Sequence, residues 1–204
     1  MRDIPDHEDI TLSKSNAVID AQQILANAEC LYSSSEIDKR LDALSDEISQ
    51  TLGQKNPLLL IVMTGGFVFA GQLLTRLNFP LQVDYLHATR YRGDTTGKDV
   101  SWLARPRIPL RGRTVLILDD ILDEGHTLTS IVKACKEEGA ESVHCAVMVE
   151  KNHDRRCEGA HADFVGLPVP DKYVFGYGLD YHEYLRNAPG IYAVGDVSET
   201  GHSQ

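Results

Sequence analysis

From Pro57 onward the sequence is built of short apolar runs separated by stretches of helical length, and this alternation constrains the fold more than any other feature. The runs at 58–63, 81–87, 114–118, 142–149, 163–167 and 191–194 are rich in Leu, Ile and Val and have the length of strands. Between the first two lies 67–77, and between the third and fourth lies 128–138, each long enough for a helix. Strand, helix and strand in succession imply right-handed crossovers, and hence a mainly parallel, twisted sheet flanked by helices. The chain is therefore expected to be an α/β protein that binds its ligands at the carboxyl ends of the strands.

Upstream of Pro57 the texture is different. Residues 1–15 have no sustained apolar period and are expected to form a poorly ordered acidic arm. Two helical stretches follow. In the second, Ile37, Leu41, Leu44 and Ile48 recur at spacings that place them on one face, Ser35 is the expected N-cap, and Gly53 and Pro57 end the helix. The 204 residues suit one domain with an appended segment.

Charge narrows the partners. The formal net charge is −10, of which residues 1–50 contribute −7 (11 acids, 4 bases) and the remainder −3 (19 acids, 16 bases). Such a chain is not built to coat nucleic acid or an anionic membrane. The longest aliphatic run is the six residues 58–63, against ~20 for a bilayer span, and the acidic N-terminus lacks the regions of a signal peptide. No membrane association and a cytoplasmic location are expected. The four cysteines are too dispersed for a disulfide framework. Cys145, His153, Cys157 and His161 lie near one another without finger-like spacing, and read as scattered side chains rather than zinc ligands.

One stretch breaks the alternation. Residues 89–113 contain three glycines and two prolines and read as a long loop, the kind that serves as a lid. The loop carries seven bases (Arg90, Arg92, Lys98, Arg105, Arg107, Arg111 and Arg113) against Asp94 and Asp99, a local +5 that would suit an anionic ligand.

The segment 114–128 carries the chemistry. An apolar strand ends in adjacent acids, Asp119 and Asp120, and a short loop of Asp123, Glu124, Gly125, His126 and Thr127 then opens a helix. Backbone N–H groups at a helix start hold phosphate without side-chain charge, with Gly125 permitting the turn and Thr127 adding a hydroxyl. Paired carboxylates can accept two vicinal ribose hydroxyls or bind Mg²⁺ through waters. A sugar phosphate is the ligand such a site suits.

At these residues the chain resembles the type I phosphoribosyltransferases, whose motif is four apolar residues, two acids, two apolar residues, Asp, Thr or Ser, Gly, any residue and Thr. Two further segments narrow the resemblance to the hypoxanthine-guanine phosphoribosyltransferases. One is Met63, Thr64, Gly65 and Gly66 after the first strand, matching a pyrophosphate loop in which a non-proline cis peptide is frequent, here Met63–Thr64. The other is Lys151 followed by the run 163–186, which is similar to the purine-binding end of that family. The resemblance spans about residues 36–196, leaving 1–35 as an N-terminal helical extension and 197–204 as a tail. It implies the type I fold with a small hood region.

The resemblance also implies an activity: transfer of a phosphoribosyl group from phosphoribosyl pyrophosphate to hypoxanthine or guanine, with Mg²⁺ as cofactor and a homodimer or homotetramer as the assembly. Asp123 would be the general base. Asp119, Asp120, Glu124, Gly125, His126 and Thr127 would hold the phosphoribosyl moiety, and Thr64, Gly65 and Arg186 the pyrophosphate. Lys151 would donate to the exocyclic oxygen of the purine, Tyr173 would stack on it, the Val174 backbone would pair with its edge, and Asp180 would lie near its two-position. Asp119, Asp120 and Asp180 would serve Mg²⁺. Arg90 and Tyr91 would belong to the lid. Tyr173, Phe175 and Tyr177 alternate, so two of the three are expected to be ordinary packing.

This chain departs from the pattern at four positions. Arg90 stands where the family usually has Ser, Thr64 where many members have Lys or Arg, Asp119 where Glu is more frequent, and Glu124 where Thr or Ser contacts the 5′-phosphate. An acid at 124 removes a donor and brings like charges together unless its side chain points to solvent. The alternative function is a regulator of the same fold that senses phosphoribosyl pyrophosphate.

Overall fold

The computed structural model describes residues 7–90 and 100–195. Six strands form the central sheet: β2 (Leu58–Val62), β3 (Gln82–Arg90), β4 (Val100–Ala104), β5 (Thr114–Leu122), β6 (Ser142–Lys151) and β7 (Phe164–Val169). Their order is β4-β3-β2-β5-β6-β7, and every pair is parallel except β3 with β4. The expected mainly parallel α/β sheet is therefore present. Its central strands are apolar on both faces because helices cover both, and Leu58, Leu59, Leu60 and Val115 to Leu118 have no exposed surface.

Helix α2 (Ser34–Leu52) buries Ile37, Leu41, Leu44 and Ile48 completely, as the spacing predicts. Its cap is Ser33 rather than Ser35. The Ser33 hydroxyl accepts from the Glu36 N–H at 3.4 Å while the Ser33 N–H donates to Glu36 Oε2 at 2.9 Å, a reciprocal box available only to a residue three before an acid. Ser33→Ala is expected to cost about 1 kcal/mol and to lower the melting temperature by about 2–4 °C, measured by thermal denaturation.

Helix α1 (His7–Asn27) extends into the segment read from sequence as an unstructured arm. After it, β1 (Glu29–Tyr32) pairs antiparallel with β9 (Ile191–Ala193), which pairs with β8 (Val174–Phe175), making a separate three-stranded sheet. This is the expected hood, and its first strand precedes residue 35, where the sequence places the end of the extension. The tail 197–204 lies outside the described residues. Among those described, no helix is long and apolar enough to cross a membrane.

The stretch 89–113, expected to be a loop, contains the end of β3 and all of β4. Strand β3 runs through Arg90, whose partner is Val100 on β4; Tyr91 and the rest of 91–99 lie outside the described residues. The returning segment is anchored on Asp84, a buried acid whose Oδ2 accepts from the Arg107 and Ile108 N–H groups at 2.7 and 2.9 Å. Arg105 binds Glu138 at 2.9 Å and lies over Trp102, and Arg113 binds the Asn56 carbonyl at 3.1 Å. Part of the +5 charge is thus structural.

Candidate active site

Strand β5 delivers the acids. Its pairing with β6 continues past Asp119 to Leu122, so the acid pair lies within the strand rather than beyond its end. Asp119 is only 8% exposed. Burial and the neighbouring Asp120 push its carboxyl well above the usual range. Desolvation also pushes Asp120 upward, opposed by a hydrogen bond with Asp119 and by the charge of Arg186. Two acids in this setting favour hydroxyl donors or a cation.

Gly125 then turns the chain into α4 (His126–Glu137) with a left-handed φ of 82°, and a Cβ there would collide with Ala160. Only glycine meets both constraints. No side chain caps α4, and the Thr129 N–H is the one that bonds to the Gly125 carbonyl, at 2.9 Å. The N–H groups of His126, Thr127 and Leu128 therefore have no intrahelical acceptor, which makes the helix start an anion cradle. The Glu124 carboxylate lies 3.6 Å from His126 Nε2 and does not point wholly to solvent.

A second turn closes on the first. Between β2 and α3 (Gly66–Leu74) the Met63–Thr64 peptide is cis, as the resemblance implies. A Cβ on Gly65 would fall on the Asp120 carboxylate, and one on Gly66 would lie 2.6 Å from the Leu118 carbonyl oxygen. Backbone replaces side chain here so that the two turns can touch. The hood reaches the same place: a Cβ on Gly178, at φ 105°, would meet the Gly65 carbonyl.

Together these turns enclose a cavity of about 630 Å³ lined by Thr64 and Gly65, by Asp119, Asp120, Asp123, Glu124, Gly125, His126 and Thr127, and by Asp180, Glu183 and Arg186. His87, Ala88 and Glu183 also line it and were not singled out from sequence. Arg186 is held by Asp180 at 2.8 Å and donates to the Gly178 carbonyl at 2.7 Å. Among the described residues no three His, Cys, Asp or Glu side chains converge on a metal position. Asp119, Asp120 and Asp180 thus line one cavity without forming a cage.

At the rim, Lys151 is the last residue of β6 and its Nζ lies 2.9 Å from Asp123 Oδ2. His153, with only 4% of its side chain exposed, brings Nε2 to 2.7 Å from Asp123 Oδ1. Burial would raise the Asp123 carboxyl, but hydrogen bonds from Lys151 and His153 and the charge of Lys151 outweigh it and hold it below the ordinary value. Asp123 is consequently ionised but weakly basic while both donors stay. Sequence reading treated His153 as one of four scattered side chains; its position two residues beyond a site lysine was the available signal.

Two of the three alternating aromatics are packing residues, as expected from their spacing. Phe175 and Tyr177 are buried, and Tyr173 is 49% exposed. Tyr173 and Val174 do not line the cavity. The Tyr173 ring packs edge-on to Tyr181 at 5.7 Å and stacks with His182 at 6.3 Å.

A family model for the phosphoribosyl transferase domain matches residues 28–183. The chain belongs to this family. It is 33% identical over 162 residues to the hypoxanthine-guanine phosphoribosyltransferase of Bacillus subtilis, covering 79% of this chain and 89% of that protein. The hypoxanthine-guanine-xanthine phosphoribosyltransferase of Tritrichomonas foetus is 29% identical over 161 residues, covering 79% and 88%. A bifunctional TilS/HprT protein of Listeria monocytogenes is 34% identical over 162 residues, and there the matched region is 25% of the relative's length. A solved hypoxanthine phosphoribosyltransferase from Staphylococcus aureus superposes with a TM-score of 0.77 at 28% identity, covering 82% of this chain and 91% of that one. The model match begins at residue 28, in keeping with β1 as part of the family fold.

Proposed function

We propose that the protein is a purine-salvage enzyme that transfers the phosphoribosyl group of phosphoribosyl pyrophosphate to hypoxanthine or guanine. The observation that carries this reading is Lys151 held 2.9 Å from Asp123, at the rim of a cavity that also contains an acid pair and an uncapped helix start. An ammonium donor beside a carboxylate matches a 6-oxopurine, which offers an exocyclic oxygen and a ring N–H. Adenine, with an amino group at that position, would face a donor with a donor.

In this mechanism an imidazole nitrogen of the purine displaces pyrophosphate at the anomeric carbon through an oxocarbenium-like transition state. The α4 start, with Gly125, His126 and Thr127, holds the 5′-phosphate, and Asp119 and Asp120 accept from the ribose hydroxyls. Thr64 and Gly65 offer backbone and hydroxyl donors to pyrophosphate, and Arg186 neutralises the charge growing there. Lys151 moves from Asp123 to the purine oxygen, and Asp123 Oδ2, relieved of that donor, takes the purine proton. Tyr173 stacks on the base, the Val174 backbone pairs with its edge and Asp180 lies near its two-position. Arg90 and Tyr91 belong to the lid that excludes water.

The all-carboxylate donor set of Asp119, Asp120 and Asp180 fits Mg²⁺, which prefers a few protein oxygens and substrate phosphates to a complete protein cage. When bound, Mg²⁺ supplies charge neutralisation to the pyrophosphate. The same reading takes β1 through residue 196 as the catalytic unit, α1 as an extension, a homodimer or homotetramer as the assembly and the cytoplasm as the location, in keeping with four free thiols.

The test is incubation with phosphoribosyl pyrophosphate and Mg²⁺ plus hypoxanthine, guanine, xanthine or adenine in turn, following nucleotide and pyrophosphate. Product from a 6-oxopurine and none from adenine is expected; no product from any base would overturn the reading. Glu124 gives a second measurement. Its carboxylate lines the phosphate cradle, so Glu124→Thr is expected to lower KM for phosphoribosyl pyrophosphate by about threefold to tenfold with little change in kcat.

A further inference from the structure

His153 is placed with unusual definition for a residue in an irregular segment. Its ring is nearly enclosed, Nε2 lies 2.7 Å from Asp123 Oδ1, and Nδ1 accepts from the Arg155 backbone N–H at 3.0 Å. A nitrogen that accepts a hydrogen bond carries no proton, so the neutral ring must bear its hydrogen on Nε2 and donate it to Asp123. The orientation of this donor is set by backbone.

The backbone is itself anchored. The Asn152 N–H bonds to the Val169 carbonyl at 2.9 Å, and the Arg155 guanidinium forks onto both Asp171 oxygens at 2.6 and 2.9 Å. Asp171 also lies 4.0 Å from Lys151 Nζ. Asp123, Lys151, Arg155 and Asp171 form a closed circuit through His153, and the charge of Glu124 also acts on Arg155. Within it Asp123 has a different donor on each oxygen. Lys151 is a flexible chain that can leave; His153 is buried and cannot.

We propose that His153 is a positioning residue for Asp123: by gripping Oδ1 it keeps the carboxylate in place and Oδ2 aimed into the site when Lys151 transfers to the purine. The inference rests on the reading of Asp123 as the general base. Without this grip the carboxylate is free to rotate once Lys151 has left, and small misplacement of a base is costly.

The test compares wild type, His153→Ala and His153→Gln, the last because a glutamine amide can place a donor near the position of Nε2. His153→Ala is expected to lower kcat at least about tenfold while KM for phosphoribosyl pyrophosphate stays within about twofold. Its acidic limb in the kcat/KM pH profile should move to higher pH, since a donor that favours ionised Asp123 has been lost and the base works only when ionised. His153→Gln should recover most of kcat and the position of the limb. Nitrogen NMR of the imidazole in wild type should show the Nε2–H tautomer.

Wild-type turnover in His153→Ala, or a fall in kcat with an unmoved limb and no recovery in His153→Gln, would overturn the proposal, as would an Nδ1–H tautomer. Failure of the underlying reading is separable: there the wild type makes no nucleotide, or Asp123→Asn retains turnover.

Discussion

Asp123→Asn is expected to lower turnover by at least ~10²-fold while leaving phosphoribosyl pyrophosphate binding nearly unchanged. The two effects separate because the groups proposed to hold the sugar phosphate, Asp119, Asp120 and the start of α4, are other residues. Asparagine can still accept from His153 through its amide oxygen, so the side chain should remain in place. What it loses is the acceptor facing Lys151, where an NH₂ group would meet an ammonium now 2.9 Å from Oδ2. Lys151 should swing away, and KM for the purine should rise as well. Measuring kcat, KM for each substrate and direct binding of phosphoribosyl pyrophosphate separates the contributions. Near-normal turnover would assign the base elsewhere.

The second large effect is expected at Gly65, a residue with no chemistry of its own. A Cβ there would occupy the position of the Asp120 carboxylate. The acid is the end of a side chain and can rotate, so Gly65→Ala should fold but with Asp120 expelled from its place. We expect kcat/KM for phosphoribosyl pyrophosphate to fall at least ~10²-fold, with a melting temperature only a few degrees lower. A double-mutant cycle tests the cause. If Gly65 acts through Asp120, then adding Gly65→Ala to Asp120→Ala should cost little further activity, because the collision has been removed. Additive losses would mean that the methyl group disrupts the turn independently of Asp120.

Both sites show where sequence reading succeeds and where it stops. The alternation of apolar runs was enough to infer a mainly parallel sheet, since strands buried on both faces must be continuously apolar, and Ile37, Leu41, Leu44 and Ile48 on α2 were legible from spacing. The motif 119–127 is contiguous, so its membership in the cavity could be read directly. The short strands were harder. β1 and β8 have four and two residues and are stabilised by pairing with β9, which lies far along the chain from β1, and strands so short carry too few residues for a local pattern to mark them. The end of β3 and all of β4 fall in the stretch that reads as a loop, because Gly93 and Gly97 lie between them in sequence and basic residues obscure the strand signal.

The sequence by itself determined the fold class, the glycine turn that opens α4 and the identity of the acids, because each depends on residues adjacent in the chain or repeating at a fixed period. Only the tertiary structure decided that Gly65 gives way to Asp120, that Arg186 rests on Asp180, and that His153 holds the Asp123 oxygen opposite Lys151. Those relations depend on how closely separate backbone segments approach, which is set by sheet order and by the packing of the hood. Spacing along a chain does not encode such distances.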